Sequence, residues 1–301
     1  MPVSNRFAGL FLQLRHIIGA LLAALVLLGL GGCSAVKLSY QNAPELTYWW
    51  LDSYLDLNDT QSRQLRAELK TLHAWHRQHE LPLYLDALEQ MQRMAPSNVT
   101  PTQVCTLIDT LRPRWQALLE RLEPGSAALA PTLTAAQLEH LARQFDKRSQ
   151  KWREEWRSGT PQERQARRLK RLRERAESFY GSLEELQVAV LRASVASSVF
   201  DANLSEREVE RRYRDIVQTL RLLQGGNPSG TSIQARVHDL LERSVRSPEP
   251  DYRAYSERLN QENCATLAAL HNSTNAPQRR QLADTLKDYA SDVRALMTAP
   301  D

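Results

Sequence analysis

The segment PQERQARRLKRLRERAESFYGSLEELQVAVLRASVASSVF, residues 161–200, places apolar side chains at Leu169, Leu172, Ala176, Phe179, Leu183, Leu186 and Val190. The steps alternate between three and four residues, the period of one helix face, whereas a half-buried strand repeats every second residue. The spacing predicts one long central helix around 161–200. Its weak point is Gly181, because glycine costs about 1 kcal/mol against alanine inside a helix.

The flanks extend the pattern. Thr134 and Gln137 form a capping box before Leu138, Leu141, Phe145, Trp152 and Trp156, and Ser205 with Glu208 reads the same way before Val209, Tyr213, Ile216, Leu220 and Leu223. Pro44 opens an earlier helix, and Asn58 or Asp59 caps the next, along Leu65, Leu69, Leu72 and His76. Glu80-Leu81-Pro82 breaks or kinks that helix. Thr100-Pro101 starts another through Leu122, kinked at Pro113 and ended by Pro124-Gly125, and three more follow at about 231–246, 251–273 and 277–298. Faces of this kind must be buried against one another, so the expected fold is all-α, a multi-helix bundle of antiparallel helical hairpins. The segments share no fixed period, which argues against a solenoid. The Glu-Pro-Gly at 123–125 and the Ala-rich stretch to 133 mark either a subdomain break or a loop within one bundle.

The other informative stretch is the N-terminus. Arg6 and Arg15 precede an apolar run from Ile17 to Leu30 that ends in Leu30-Gly31-Gly32-Cys33. The run is short of the ~20 residues needed to span a bilayer. It reads as a lipoprotein signal peptide over 1–32, with Cys33 acylated, a tether over 33–43 and a helical domain from 44 to 301. The tether, fully extended, reaches about 34 Å at ~3.4 Å per residue. One acyl chain anchors only marginally, so two or three are needed to hold the protein. Ser34 stands where an Asp would signal inner-membrane retention. The expected place is therefore the cell envelope, lipid-anchored at the outer membrane and facing the periplasm.

That compartment permits disulfides, and Cys105 and Cys264 are the two cysteines left; they either pair or sit as small buried thiols in helices. Tyr48-Trp49-Trp50 either rests at the membrane interface or joins the core. The formal charge of +4 conceals a run from Arg143 to Arg175 with thirteen Lys and Arg against five acidic residues. Within it Arg164, Arg167, Arg168, Lys170 and Arg171 either form a patch for phosphate-bearing headgroups or a solvated face laced with i,i+4 ion pairs. Nucleic acid is not an expected partner of an exported protein.

Chemistry is sparse. No phosphate-cradling glycine loop, G-x-S-x-G or H-E-x-x-H occurs, and Ser34-Ala-Val-Lys37 lacks the companion K-T-G of penicillin-binding enzymes. His73 and His79 point about 120° apart around a helix and cannot share an ion, and His76 with Glu80 at i and i+4 would need ligands from another segment that no second acid or thiol cluster supplies, so no metal or other cofactor is expected. Trp75, His76, Arg77 and Glu80 remain as binding candidates, and as the only place for an envelope hydrolase site.

Cys33-Ser34, Tyr40, Ala43-Pro44, Tyr48-Trp49-Trp50, Tyr54, Asp56-Leu57, Gln61, Trp75-His76-Arg77 and Glu80-Leu81-Pro82 with Tyr84 resemble a proteobacterial lipoprotein family of unknown function. The resemblance implies a lipid-anchored helical envelope protein and brings no activity or cofactor. A second similarity is to periplasmic stress-response chaperones with the hallmark L-T-x-x-Q. Leu133-Thr134-Ala135-Ala136-Gln137 fits it, while Leu57-Asn58-Asp59-Thr60-Gln61 and Leu204-Ser205-Glu206-Arg207-Glu208 depart from it. The expected role is therefore non-enzymatic binding or scaffolding toward an envelope protein or anionic envelope component, with a chaperone-like holdase as the alternative.

Overall fold

The computed structural model describes residues 32–224 and 230–299, and all its regular structure within them is helical. The signal segment before Gly32 lies outside the described residues, as does the Cys33 side chain. Two compact units divide at Asn42. In the first, α1 spans Gly32–Gln41. The tether is thus helical instead of extended, and ten helical residues rise only about 15 Å.

The second unit runs from Ala43 onward. It contains α2 (Ala43–Leu55), α3 (Asp59–Trp75), a π-helical turn (His76–Glu80), α4 (Leu81–Met94), α5 (Pro101–Leu129) and a 3-10 turn (Ala130–Thr132). There follow α6 (Ala135–Trp156), α7 (Pro161–Tyr180), α8 (Glu185–Ser197), α9 (Ala202–Gln224), α10 (Gly230–Val245), α11 (Pro250–Asn272) and α12 (Ala276–Thr298).

The all-α bundle stands, but the long helix over 161–200 does not: it folds back as the α7–α8 hairpin. Gly181 takes φ 73°, a left-handed conformation that glycine adopts without steric cost, and Glu184 caps the restart. The apolar register shifts with the break. Leu186, the next residue of the expected stripe, is 78% exposed, while Gln187, Val188, Leu191 and Val195 turn inward. Conversely, α5 continues through Pro124-Gly125, where a stop was expected. Two prolines are tolerated because α5 is clamped along its length by α3, α10 and α11. Glu80-Leu81-Pro82 likewise does not end the rod, since a π-turn absorbs the proline and joins α3 to α4. Ser205 and Glu208 form no capping box; Asp201 caps α9 by accepting the amides of Asn203 and Leu204.

Two four-helix groups with the same contact plan emerge. In the first, α2 packs on α3 and α6, and α3 on α5; in the second, α7 packs on α8 and α12, and α8 on α11. Each group is pinned by a buried glutamine pair at helix N-termini. Gln61 donates to the Thr132 carbonyl at 2.8 Å and Gln137 to the Asp56 carbonyl at 2.7 Å. Gln187 donates to the Ser273 carbonyl at 3.2 Å and Gln278 to the Ser182 carbonyl at 2.9 Å. Every one of the four is the third residue of a helix whose N-cap sits three positions earlier, and every one is buried.

Cys105 of α5 and Cys264 of α11 are joined, with Cα atoms 5.4 Å apart. The bond ties α5 to the penultimate helix. Of Tyr48-Trp49-Trp50, Tyr48 is core, at 5% exposure, whereas Trp49 and Trp50 are 60% and 58% exposed.

Candidate functional site

The turn between α6 and α7 builds the most chemically distinctive surface. Trp156 ends α6, Gly159 turns the chain with φ 79°, and Thr160 caps α7 in a box with Glu163. Arginines then recur at 164, 167, 168 and 171, one helical face, and the α8–α9 connection lies opposite with Ser198 and Phe200. Together they line a cleft of about 700 Å³, to which Arg157, the cap residue after α6, also contributes.

Its floor is aromatic. Trp156 stacks on Trp152 at 5.3 Å and tilts onto Phe200 at 5.5 Å. Arg171 lies 4.5 Å over the Trp156 ring and Arg168 4.5 Å over that of Phe200, so aromatic faces hold both guanidinium planes. Two of the five cleft arginines are neutralised: Arg157 pairs with Glu206 at 2.7 Å and Arg171 with Glu155. The other three donate to neutral oxygens, Arg164 to the Gly159 carbonyl at 2.6 Å, Arg167 to that of Ser158, and Arg168 to the Ser198 hydroxyl at 2.7 Å. Burial lowers the Arg168 pKa from its ordinary value and the nearby Glu262 carboxylate opposes that, which leaves a cation in any accessible pH range. The structure therefore brings together Arg164, Arg167, Arg168 and Arg171 of the expected patch. Lys170 is not among them: it is 73% exposed and reaches Glu174 at 3.8 Å.

The residues around the π-turn are placed differently. His76 is half-buried and stacked on Tyr84 at 5.7 Å; burial lowers its pKa, helped by the charge of His73. Trp75 stacks on His79 at 6.0 Å. Arg77 is buried and donates to the Ala299 carbonyl at 3.2 Å, and buried Glu80 faces Arg114 at 3.7 Å. Burial raises the Tyr84 pKa and the Glu80 charge adds to it, with Arg114 opposing. The π-turn packs against α3, α4 and α12. Among the described residues no group of three or more His, Cys, Asp or Glu is arranged to hold a metal ion.

A second cavity, of about 660 Å³, lies among α2, α3, α5, α6 and α9 and is walled mainly by leucines. Nothing in the sequence flagged it, because five helices contribute. The cleft's partners Ser198 and Phe200 escaped for the same reason. The glutamine pairs left a readable signal: a cap residue followed three positions later by Gln recurs at 58–61, 134–137, 184–187 and 275–278.

The class these features define is an all-α helical bundle with an arginine-lined cleft. A family of unknown function, DUF6279, matches residues 53–253, and the chain belongs to it. No curated protein and no solved structure matches the chain.

Proposed function

We propose that this is a non-catalytic binding protein of the cell envelope, held by an acylated Cys33 and facing the periplasm, whose arginine cleft engages a phosphate-bearing lipid headgroup. The observation that carries the reading is the convergence of Arg164, Arg167 and Arg168 on one cleft with only neutral acceptors for their N–H groups. Guanidinium forks match phosphate oxygens in pairs, and a phosphate displaces weaker carbonyl and hydroxyl partners because hydrogen bonds between ions are about twice as strong. Each arginine near an anionic surface contributes about 1 kcal/mol.

Two further features support a place at a membrane. Leu46, Trp49 and Trp50 lie exposed at i, i+3 and i+4 of α2, and tryptophan favours the bilayer interface. No helix of the described residues is long and apolar enough to cross a membrane, so attachment rests on the N-terminus. The test anchors the full chain in phosphatidylcholine nanodiscs and offers separate vesicles with or without phosphatidylglycerol. Capture of the phosphatidylglycerol vesicles alone, weakened by salt, is expected; equal capture of both kinds removes the headgroup reading.

A further inference from the structure

The leucine-walled cavity is independent of the arginine cleft and has its own chemistry. Leu51 of α2, Leu65 and Leu72 of α3, Leu129 of α5, Phe145 of α6 and Ile216 of α9 face into about 660 Å³. Protein interiors pack as densely as organic crystals, and a space of this size falls within the 300–1,000 Å³ typical of small-ligand sites, roughly. Such walls suit an aliphatic chain, since leucines outnumber every other residue of the lining.

The rim supplies the polar end. Arg121 of α5 and Arg148 of α6 line the cavity and are exposed, and neither forms an ion pair with a carboxylate among the described residues. Arg148 lies near the Tyr213 hydroxyl, where its charge opposes the rise in pKa that burial causes, beside the stacked Phe145 and Tyr213 rings. Glu68 is the acidic residue of the lining; it lies against Gly125, where an added Cβ would meet its side chain at 3.1 Å. The rim is thus net cationic over an apolar interior.

We infer that this cavity binds a long-chain fatty acid, its hydrocarbon tail between α3, α5 and α6 and its carboxylate at Arg121 and Arg148. A carboxylate complements two cations without a carboxylate partner, and a single chain, unlike a bulky diacyl lipid, fits one leucine-walled space.

The test uses the full chain in amphipol with a diazirine-bearing palmitate, labelled sites being mapped by mass spectrometry. Labels on Leu65, Leu72 or Phe145, displaced by unlabelled palmitate and far less well by 1-hexadecanol, are expected. Leu65→Trp, which fills the cavity, lowers labelling at least tenfold with helicity unchanged. Should that variant misfold, Arg121→Ala with Arg148→Ala, both at exposed positions, weakens competition by palmitate more than tenfold, since each arginine removed takes away a hydrogen bond to a charged group. Labels scattered over the surface, cavity labels that palmitate does not displace, equal competition by hexadecanol, or capture of an apolar peptide in place of palmitate each overturn the inference. Substitution of Arg164, Arg167 and Arg168 leaves the labelling intact, so failure of the headgroup reading is separately visible.

Discussion

Gln61 and Gln137 lie side by side in the core and exchange hydrogen bonds through their amides, at 3.3 Å in one direction and 2.8 Å in the other. Each Oε1 also accepts its own helix's N-cap amide, from Asn58 at 3.0 Å and from Thr134 at 2.8 Å. One side chain thereby caps its own helix and ties it to a hairpin 76 residues away. Gln187 and Gln278 repeat the arrangement at 2.6 Å and 2.9 Å. Gln137→Leu should cost about 1–3 kcal/mol, because it removes the partner of the Asp56 carbonyl and of the Thr134 amide together with the two bonds to buried Gln61. Residues in one network couple, so the Gln61→Leu, Gln137→Leu double variant should lose less than the sum of the singles. Urea unfolding of the four proteins measures this; additivity within error would mean that the pair does not act as a unit.

The Cys105–Cys264 bond spans 159 residues. Chain-entropy arguments put the stabilisation from closing so long a loop at up to about 5 kcal/mol. Cys264→Ala, at a site with 0% exposure, should therefore lower Tm steeply, and reductant should lower that of the parent but not of Cys105→Ala with Cys264→Ala. A melting curve indifferent to reductant would contradict the linkage.

Acid should weaken the fold before its carboxylates protonate. His271 is buried, its Nε2–H donating to the Ser97 carbonyl at 2.8 Å and its Nδ1 accepting from the Tyr180 hydroxyl at 3.0 Å. Burial lowers its pKa from 6.5, the Ser97 bond resists, and the Arg279 charge adds to the lowering. The unfolded chain thus takes up a proton near pH 6.5 that the folded chain refuses, so stability is full above 6.5 and falls below it. His76, shifted the same way, adds to the loss. Glu208 does not share this window: burial raises its pKa, but hydrogen bonds from Arg211, Ser247 and Arg212 outweigh that and hold it below 4.5. Between pH 6.5 and 4.5, His271→Gln should show a shallower fall in Tm than the parent; an equal slope would place the proton uptake elsewhere.

Gly159 sets the entrance to the arginine cleft. Its φ of 79° costs an alanine about 1–2 kcal/mol, and a Cβ there also meets Glu163 Oε2 at 2.5 Å, an exposed carboxylate that can move. Gly159→Ala should destabilise by about that amount and, because the Ser158 and Gly159 carbonyls seat Arg167 and Arg164, also weaken vesicle capture. Denaturant melts alongside capture assays test both effects.

The helices were legible wherever a cap and an apolar stripe agreed, as at Thr134 with Leu138 and Leu141. Legibility failed where tertiary packing overrode local signals. Pro124 remains helical because neighbouring helices hold α5, and Gly181 turns the chain because Gln187 docks onto Gln278. The arginines of the cleft were visible as a charge run, but Lys170 was grouped with them because composition does not distinguish the faces of α7. Phe200, Ser198 and the leucine cavity required the fold, since their partners lie on other helices.

The most direct measurement of the central claim compares two full-chain variants in nanodisc capture of phosphatidylglycerol vesicles: Arg164→Ala with Arg167→Ala and Arg168→Ala, and Lys170→Ala alone. At about 1 kcal/mol per arginine, the triple variant should bind roughly a hundredfold more weakly, while Lys170→Ala stays near the parent. Equal loss in both, or none in the triple variant, would contradict a cleft built by these three side chains.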